Sequence, residues 1–449
     1  MKRKKAFGIV GSTVLAASLL LNPYSFQWGK DESKVSASSF NRDVYVSSQN
    51  DFDKAIAEIK SGKIQEHDIS KKVLDKGKIK FSNGKGKKAS LESYEDLVFH
   101  IDEVRSDKHL QKDLAKAIKK GAKVYLYGGI SIPEFADLLS LEKVTTKGKD
   151  SKGIEMTYRY DESESELAKT NKYKDNPESA YEQGEDFIYD VVGYTLDEEE
   201  HNQLVVTNIN AFDEEGNKVE ATEEDVIKDV LMATSETIDV EEQEYAAAQA
   251  PKLFGFLSPN NAKAATTVKS SSTRIYGYVK YGGTNVGRTY TDWVLQRGKS
   301  ETDSTWDYFN VLDKTTIDAY SGWRATKWWI DHDIPYDRDY IWDWDPGSTS
   351  SGSYDISFGA PWSVGLGFTL STDPDIKDIG NQDLDFGRWD ITDYNMDGER
   401  FEPGTAWKSR QSYKHARMNI THRATMTKVS DKYIPPVSSN ISIAVSYYY

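Results

Sequence analysis

The chain has no cysteine, so no disulfide staples its fold and no thiol chemistry or cysteine-held metal site is open to it. Proline is sparse, at 12 in 449 residues, which leaves long stretches free to run as strands or helices. Positive charge is in deficit: 57 Lys and Arg against 72 Asp and Glu give a net charge of −15. A phosphate backbone rewards a basic surface, so that balance argues against nucleic acid as a partner. Apart from the amino terminus, no run of residues is long and apolar enough to cross a membrane as a helix. The motifs H-E-x-x-H and G-x-S-x-G are missing too.

What the amino terminus offers is an export signal. Met1–Lys5 (MKRKK) is a basic head, residues 6–21 are apolar, Pro23 breaks the run, and Val35-Ser36-Ala37 supplies a small-x-small cleavage site. Residues 1–37 are therefore read as a signal peptide, and the mature protein is expected outside the cytoplasm.

Composition then divides the chain. Residues 38–265 hold 31 basic and 46 acidic residues, and residues 266–449 hold 20 and 24. The second part carries 10 of the 11 tryptophans, and its acids are 21 Asp against 3 Glu. Asp favours turns and caps where Glu favours helices, so the two parts are expected to differ in fold class. The expectation is a small mixed α/β domain over 38–240, a linker over 241–272, and an antiparallel β-sandwich or barrel-like domain over 273–449.

Local patterns support the division. Phe52, Ile56 and Ile59 recur at helical spacing, as do Leu110, Leu114 and Ile118. Between and after them, LVFHI (97–101) and KVYLY (123–127) read as strands, and Ser131-Ile132-Pro133-Glu134 has the spacing of a capping box. Strand, helix, strand, helix implies a parallel pair. Residues 187–196 and 203–212 read as an antiparallel pair, and 222–233 as a last amphipathic helix. Gly128-Gly129 lies where a phosphate rests on backbone amides in some folds, but the full G-x-G-x-x-G is absent. Past the linker, alternation with period two dominates. Val364, Leu366, Phe368 and Leu370 fall on one side of SVGLGFTLS, with Gly365, Gly367 and Thr369 on the other. By the same alternation Trp323, Ala325 and Trp329 share a core face, which turns Arg324, Thr326 and Trp328 outward.

Two constellations carry chemistry. Residues 328–347 (WWIDHDIPYDRDYIWDWDPG) concentrate four tryptophans and six aspartates. Flat indole faces stack on sugar rings and carboxylates accept from hydroxyls, so Trp328, Trp342, Trp344, Asp339 and Asp343 are the candidate ligand-binding residues. The second is Asp393-Tyr394-Asn395-Met396-Asp397-Gly398-Glu399. It resembles the first half of the calcium loops of EF-hand and dockerin-type modules, D-x-[DN]-x-[DN]-G. The resemblance covers about a dozen residues and implies Asp393, Asn395, Asp397, Glu399 and Glu402 as ligands of a Ca2+ ion. It breaks at the twelfth position, where Gly404 replaces a bidentate Glu.

Three functions follow from these residues. The first is a secreted binding protein whose β domain recognises a glycan or other cell-surface polymer, steadied by calcium. The second is a secreted carbohydrate hydrolase, with no catalytic pair singled out among so many aspartates. The third is a membrane-active, pore-forming β protein. The closing strand, with Ile441, Ile443, Val445, Tyr447 and Tyr449 alternating, suits a membrane barrel. Arg324, Lys327 and Asp331 do not suit lipid-facing depths.

Overall fold

The computed structural model describes residues 42–61, 74, 79–82, 90–146, 156–157, 187–197, 202–249, 266–268, 273–298, 305–335, 339–350, 353–358, 364–370, 372–410 and 415–448. Residues 1–37, read above as an export signal, and the Ala/Pro/Asn-rich stretch 250–265 lie outside the described residues. Residues 41–449 form one compact unit.

The first half supplies β1 (Arg42–Val46), β2 (Ile79–Ser82), β3 (Asp96–His100), β4 (Lys123–Ser131), β5 (Thr145–Thr146), β6 (Met156–Thr157), β7 (Ile188–Tyr194), β8 (Leu204–Phe212) and β9 (Lys218–Val219). Helices Gln49–Lys60, Ile101–Ser106, Lys108–Lys119 and Ile132–Leu138 are interleaved with them. As expected, β3 and β4 pair in parallel and β7 and β8 antiparallel. The expected cap is present too: the Ser131 hydroxyl accepts the Glu134 N–H at 3.2 Å. The second half supplies β10 (Thr266–Val268), β11 (Thr273–Tyr281), β12 (Thr284–Gly298), β13 (Trp306–Ala319), β14 (Trp323–Asp333), β15 (Tyr340–Asp345), β16 (Ser353–Phe358), β17 (Val364–Thr369), β18 (Asp375–Asp378), β19 (Phe386–Thr392), β20 (Arg400–Phe401), β21 (Gly404–Arg410), β22 (His415–Lys428), β23 (Val437–Ser438) and β24 (Ile441–Tyr448).

The fold is mainly β, with a mixed sheet and an antiparallel sheet. The mixed sheet runs β15-β21-β13-β12-β11-β8-β7-β4-β3-β1-β2. The antiparallel sheet runs β18-β19-β14-β22-β24-β6-β5. The two halves thus share one sheet across the compositional border. β8 and β11 pair in parallel over nine consecutive positions, from Leu204↔Thr273 to Phe212↔Tyr281. Composition could not show this, because a parallel pair is joined by tertiary proximity and not by a turn.

The last helix of the first half also differs from expectation. It spans Glu223–Gln249, so the first nine residues of the stretch read as linker are helical. Its acids reach the sheet. Asp225 and Asp229 lie 3.2 and 3.7 Å from the buried Lys280 ammonium, and Glu236 pairs with buried Arg288.

In the sandwich half, inward positions of both sheets meet in one core. Val279, Val286 and Ile317 from the mixed sheet pack with Ala325, Trp328, Ile330, Trp389, Ile391 and Met426 from the antiparallel one. Burying a side chain of this size contributes roughly 1.5–3 kcal/mol each, which is the main force holding the sheets face to face.

Candidate functional site

Along β14 the expected alternation reverses, and the cause is local. Its register on β22 shifts between Ala325 and Lys327, so Thr326 is an extra residue, a β-bulge. One inserted residue moves every later side chain to the other face. Trp328, expected outside, is therefore 1% exposed in the core beside Phe401, and no sugar reaches it. Trp329, expected inside, is buried as expected but on the opposite face from Trp328, between the Arg388 and Arg423 guanidinium groups, 4.9 and 5.0 Å from its ring.

The other four candidates of that cluster scatter. Asp339 is fully buried. Asp343 is half-buried and accepts the Trp344 N–H at 3.0 Å. Trp344 is fixed by its indole N–H to Asp378 at 2.7 Å. Its ring lies against two glycines: a Cβ on Gly380 would come within 2.5 Å of the indole nitrogen, and one on Gly387 within 3.1 Å of the Trp344 Cβ. Trp344 is thus a packed wall. Only Trp342 stands out, at 40% exposed. It is the bulged residue of β15, an edge strand whose register on β21 shifts between Ile341 and Asp343. Around it gather exposed Tyr340, half-buried Trp306 and Tyr308, and the Lys408 ammonium, which lies 4.8, 5.6 and 5.3 Å from the rings of Trp306, Tyr340 and Trp342.

The calcium-like loop is clamped to the sandwich by its own backbone. Asp393 and Met396 N–H groups donate to Thr326 and Ala325, at the bulge, and Gly398 N–H donates to Ile317. Met396 plugs into the core, and Gly398 takes the positive φ of 76° that the turn requires. Three of the expected ligands each turn one oxygen to a backbone N–H. Asp393 accepts from the Tyr394 N–H, Asn395 from the Asp397 N–H and Asp397 from the Ala319 N–H. Glu402 pairs with Arg400 at 2.6 Å, and Glu399 is buried. Among the described residues no group of three His, Asp or Glu side chains is placed to hold an ion. Half-burial pushes the Asp397 carboxyl up, against the pull of the Ala319 N–H.

A cluster the sequence did not announce sits at the sandwich centre. Asp313 of β13 is fully buried and takes His422 Nε2 at 2.5 Å, His332 Nε2 at 3.2 Å and the Thr291 hydroxyl. His332 Nδ1 meets the Thr405 hydroxyl at 2.9 Å. These five residues come from both sheets, so the network ties one layer to the other. Burial pushes the Asp313 carboxyl up, but His422 first and His332 after it overcome that and hold it well below the ordinary carboxylate range. Its lone pairs are committed and solvent does not reach it, so it is a structural anchor and not an open acid/base pair.

One element belongs to neither large sheet. β16 and β17 pair only with each other among the described strands. Their register sets Tyr354 against Phe368, Ile356 against Leu366 and Phe358 against Val364. The alternate positions pair Ser353 with Thr369, Asp355 with Gly367 and Ser357 with Gly365. Every apolar position of this ribbon is on one side and every small or polar one on the other. Between Gly347 and Thr372 the sequence has a single charged residue, Asp355. The ribbon rests on the sandwich through Tyr354 and Ile356, both buried in the core cluster, and Leu370 just beyond it is buried there as well. The Tyr354 hydroxyl accepts the Glu402 N–H at 2.9 Å, and its ring lies 5.2 Å from Phe401. At the base, Thr349 bridges to Ile376 of β18.

No family model matches the sequence, and neither does any curated protein. Among solved structures, the Clostridium perfringens delta-toxin is similar at 10% identity, covering 42% of this chain and 95% of its own, with a TM-score of 0.25. A structure described as a pore forming protein is similar at 7% identity, 43% and 98% coverage, and a TM-score of 0.25. The Clostridium perfringens NetB toxin in its membrane-inserted form is similar at 8% identity, 39% and 100% coverage, and a TM-score of 0.20. Likeness at such scores carries no weight for fold or activity, and the functional case rests on this chain's own geometry.

Proposed function

We propose that this is an exported, membrane-active β protein whose β16–β17 ribbon leaves the sandwich and inserts into a bilayer as part of a pore. The observation that carries the reading is the two-sided ribbon, paired with neither large sheet among the described strands. A strand crossing a bilayer in a barrel needs about 9–11 residues, alternating lipid-facing and lumen-facing positions. Residues 350–358 and 364–372 supply nine on each arm, with Asp355 their single charge. Water is missing in the bilayer core, so strand edges must close on one another. One ribbon gives two strands and barrels begin at about eight, so several copies must assemble, on the order of four or more.

The Trp306, Tyr340, Trp342 and Lys408 patch supports the same reading. Trp and Tyr favour the membrane–water interface, and a cation beside them favours anionic headgroups. No helix among the described residues is long and apolar enough to cross a membrane, which bears on helices alone. The test is release of a trapped dye from liposomes of neutral and of anionic lipid. Release that scales steeply with protein concentration is expected. Intact vesicles at every composition tried would overturn the proposal and return the glycan reading, with Trp342 as its remaining exposed indole.

A further inference from the structure

We infer that the pore selects cations and that Asp355 sets the selectivity. The inference rests on the pore reading and extends it to what passes. By register, Asp355 lies on the side of the ribbon that holds Ser353, Ser357, Gly365, Gly367 and Thr369. In a barrel the opposite side, with Tyr354, Ile356, Phe358, Val364, Leu366 and Phe368, meets lipid, so the Asp355 side lines the lumen. No Lys or Arg occurs between Gly347 and Thr372, and the flanking basic residues in sequence are Arg338 and Lys377. The carboxylate therefore has no countercharge within the ribbon.

Each copy places one Asp355 at the same height, so assembly turns a single residue into a ring of like charge. Rings of Asp or Glu are how cation channels discriminate, and low-dielectric walls focus their field along the bore. The position opposite Asp355 is Gly367, which adds no side chain to narrow the ring. Asp355 stands three residues before the end of β16 at Phe358, which places the ring about 10 Å from the last described pair of the ribbon, Phe358 with Val364, at the rise of a strand. The remaining lumen positions are hydroxyls and glycines, neutral along their length.

The experiment is the reversal potential across a planar bilayer under a KCl gradient, with the full chain. The expected K+ over Cl− permeability ratio is several-fold above unity. It falls to near unity in Asp355→Asn and below unity in Asp355→Lys. Ser357→Asp, which adds a second ring on the same side, raises it above the parent value. A ratio unchanged by Asp355→Asn, or an anion-selective parent pore, overturns the inference and leaves the pore reading intact. Greater insertion of Asp355→Asn at unchanged selectivity overturns it too, by placing position 355 against lipid. Absence of any conductance from the parent chain removes the pore reading itself, and the inference with it.

Discussion

The sandwich centre and the β16–β17 ribbon obey the same alternating pattern and end in opposite situations. At the centre, β12, β13, β14 and β22 are hydrogen-bonded on both edges, and Asp313 with its two imidazoles pins one sheet to the other. In the ribbon, the two strands pair with each other and with no other described strand, and apolar contacts of Tyr354 and Ile356 seat it on the sandwich, with the Tyr354 hydroxyl on the Glu402 N–H. Dispersion and hydrophobic burial are non-directional, so the apolar side of the ribbon can exchange protein for lipid tails at little cost. A polar network in a dry interior has no such alternative partner. The centre is built to stay, and the ribbon is held by forces that a bilayer can replace.

That contrast breaks first at Asp313. Asp313→Ala leaves two buried imidazoles without their acceptor, and the expected loss is about 3–5 kcal/mol of unfolding free energy, read by urea denaturation. The pH dependence follows. The folded carboxyl is held below its ordinary 3.8, so it contributes stability above that value and the contribution is lost as pH falls through the folded pKa. The parent chain should weaken in acid more steeply than Asp313→Asn, and parallel curves would sink the anchor.

On the ribbon side, Leu366→Arg puts a charge at a lipid-facing position, at a cost of about 2–4 kcal/mol per copy near the midplane. Dye release should vanish while the urea midpoint moves far less than in Asp313→Ala. Equal loss of stability in the two variants would erase the distinction between the regions.

A third variant sharpens the account of what else is fixed. Burial raises the Asp229 carboxyl to about 7, although Lys280 pulls it down. A carboxyl with a raised folded pKa binds its proton more tightly folded than unfolded. Its contribution to stability is therefore fullest below about 4, the unfolded value, and declines as pH rises toward 7. Asp229→Asn should remove that decline and gain stability relative to the parent at pH 8, as thermal melts across pH would show. A parent curve that rises from pH 5 to 7 while the Asn variant stays flat would refute it.

The smallest effects belong to the surface. Trp342→Ala should change stability by no more than about 0.5 kcal/mol, as exposed positions do, while lowering liposome binding in flotation assays. Undiminished flotation would remove the interfacial role. Chelating calcium with EGTA should leave the melting midpoint where it is, since no group of three His, Asp or Glu side chains among the described residues is placed to hold an ion. A clear fall would show an ion there.

Most strand positions were legible from period-two alternation: residues 273–281 form β11 as expected, and the Ser131 cap sits where its spacing put it. The faces taken by Trp328 and Trp329 were not, because one inserted residue at Thr326 inverts the pattern and nothing in the letters marks the insertion. The Asp313 cluster was illegible for another reason. His332 and His422 are ninety residues apart in the chain, and only the stacking of two sheets brings both to one carboxylate.

The sequence by itself determined the strand-rich second half and the two-sided strand over 364–370, because these are short-range properties of alternating residues. Which side of each strand met a core, and which indole met water, was decided only by the tertiary structure. So were the shared sheet through β8 and β11 and the pairing of the ribbon's two strands with each other. Pairing between distant strands depends on register and proximity, and a chain written in one dimension records neither.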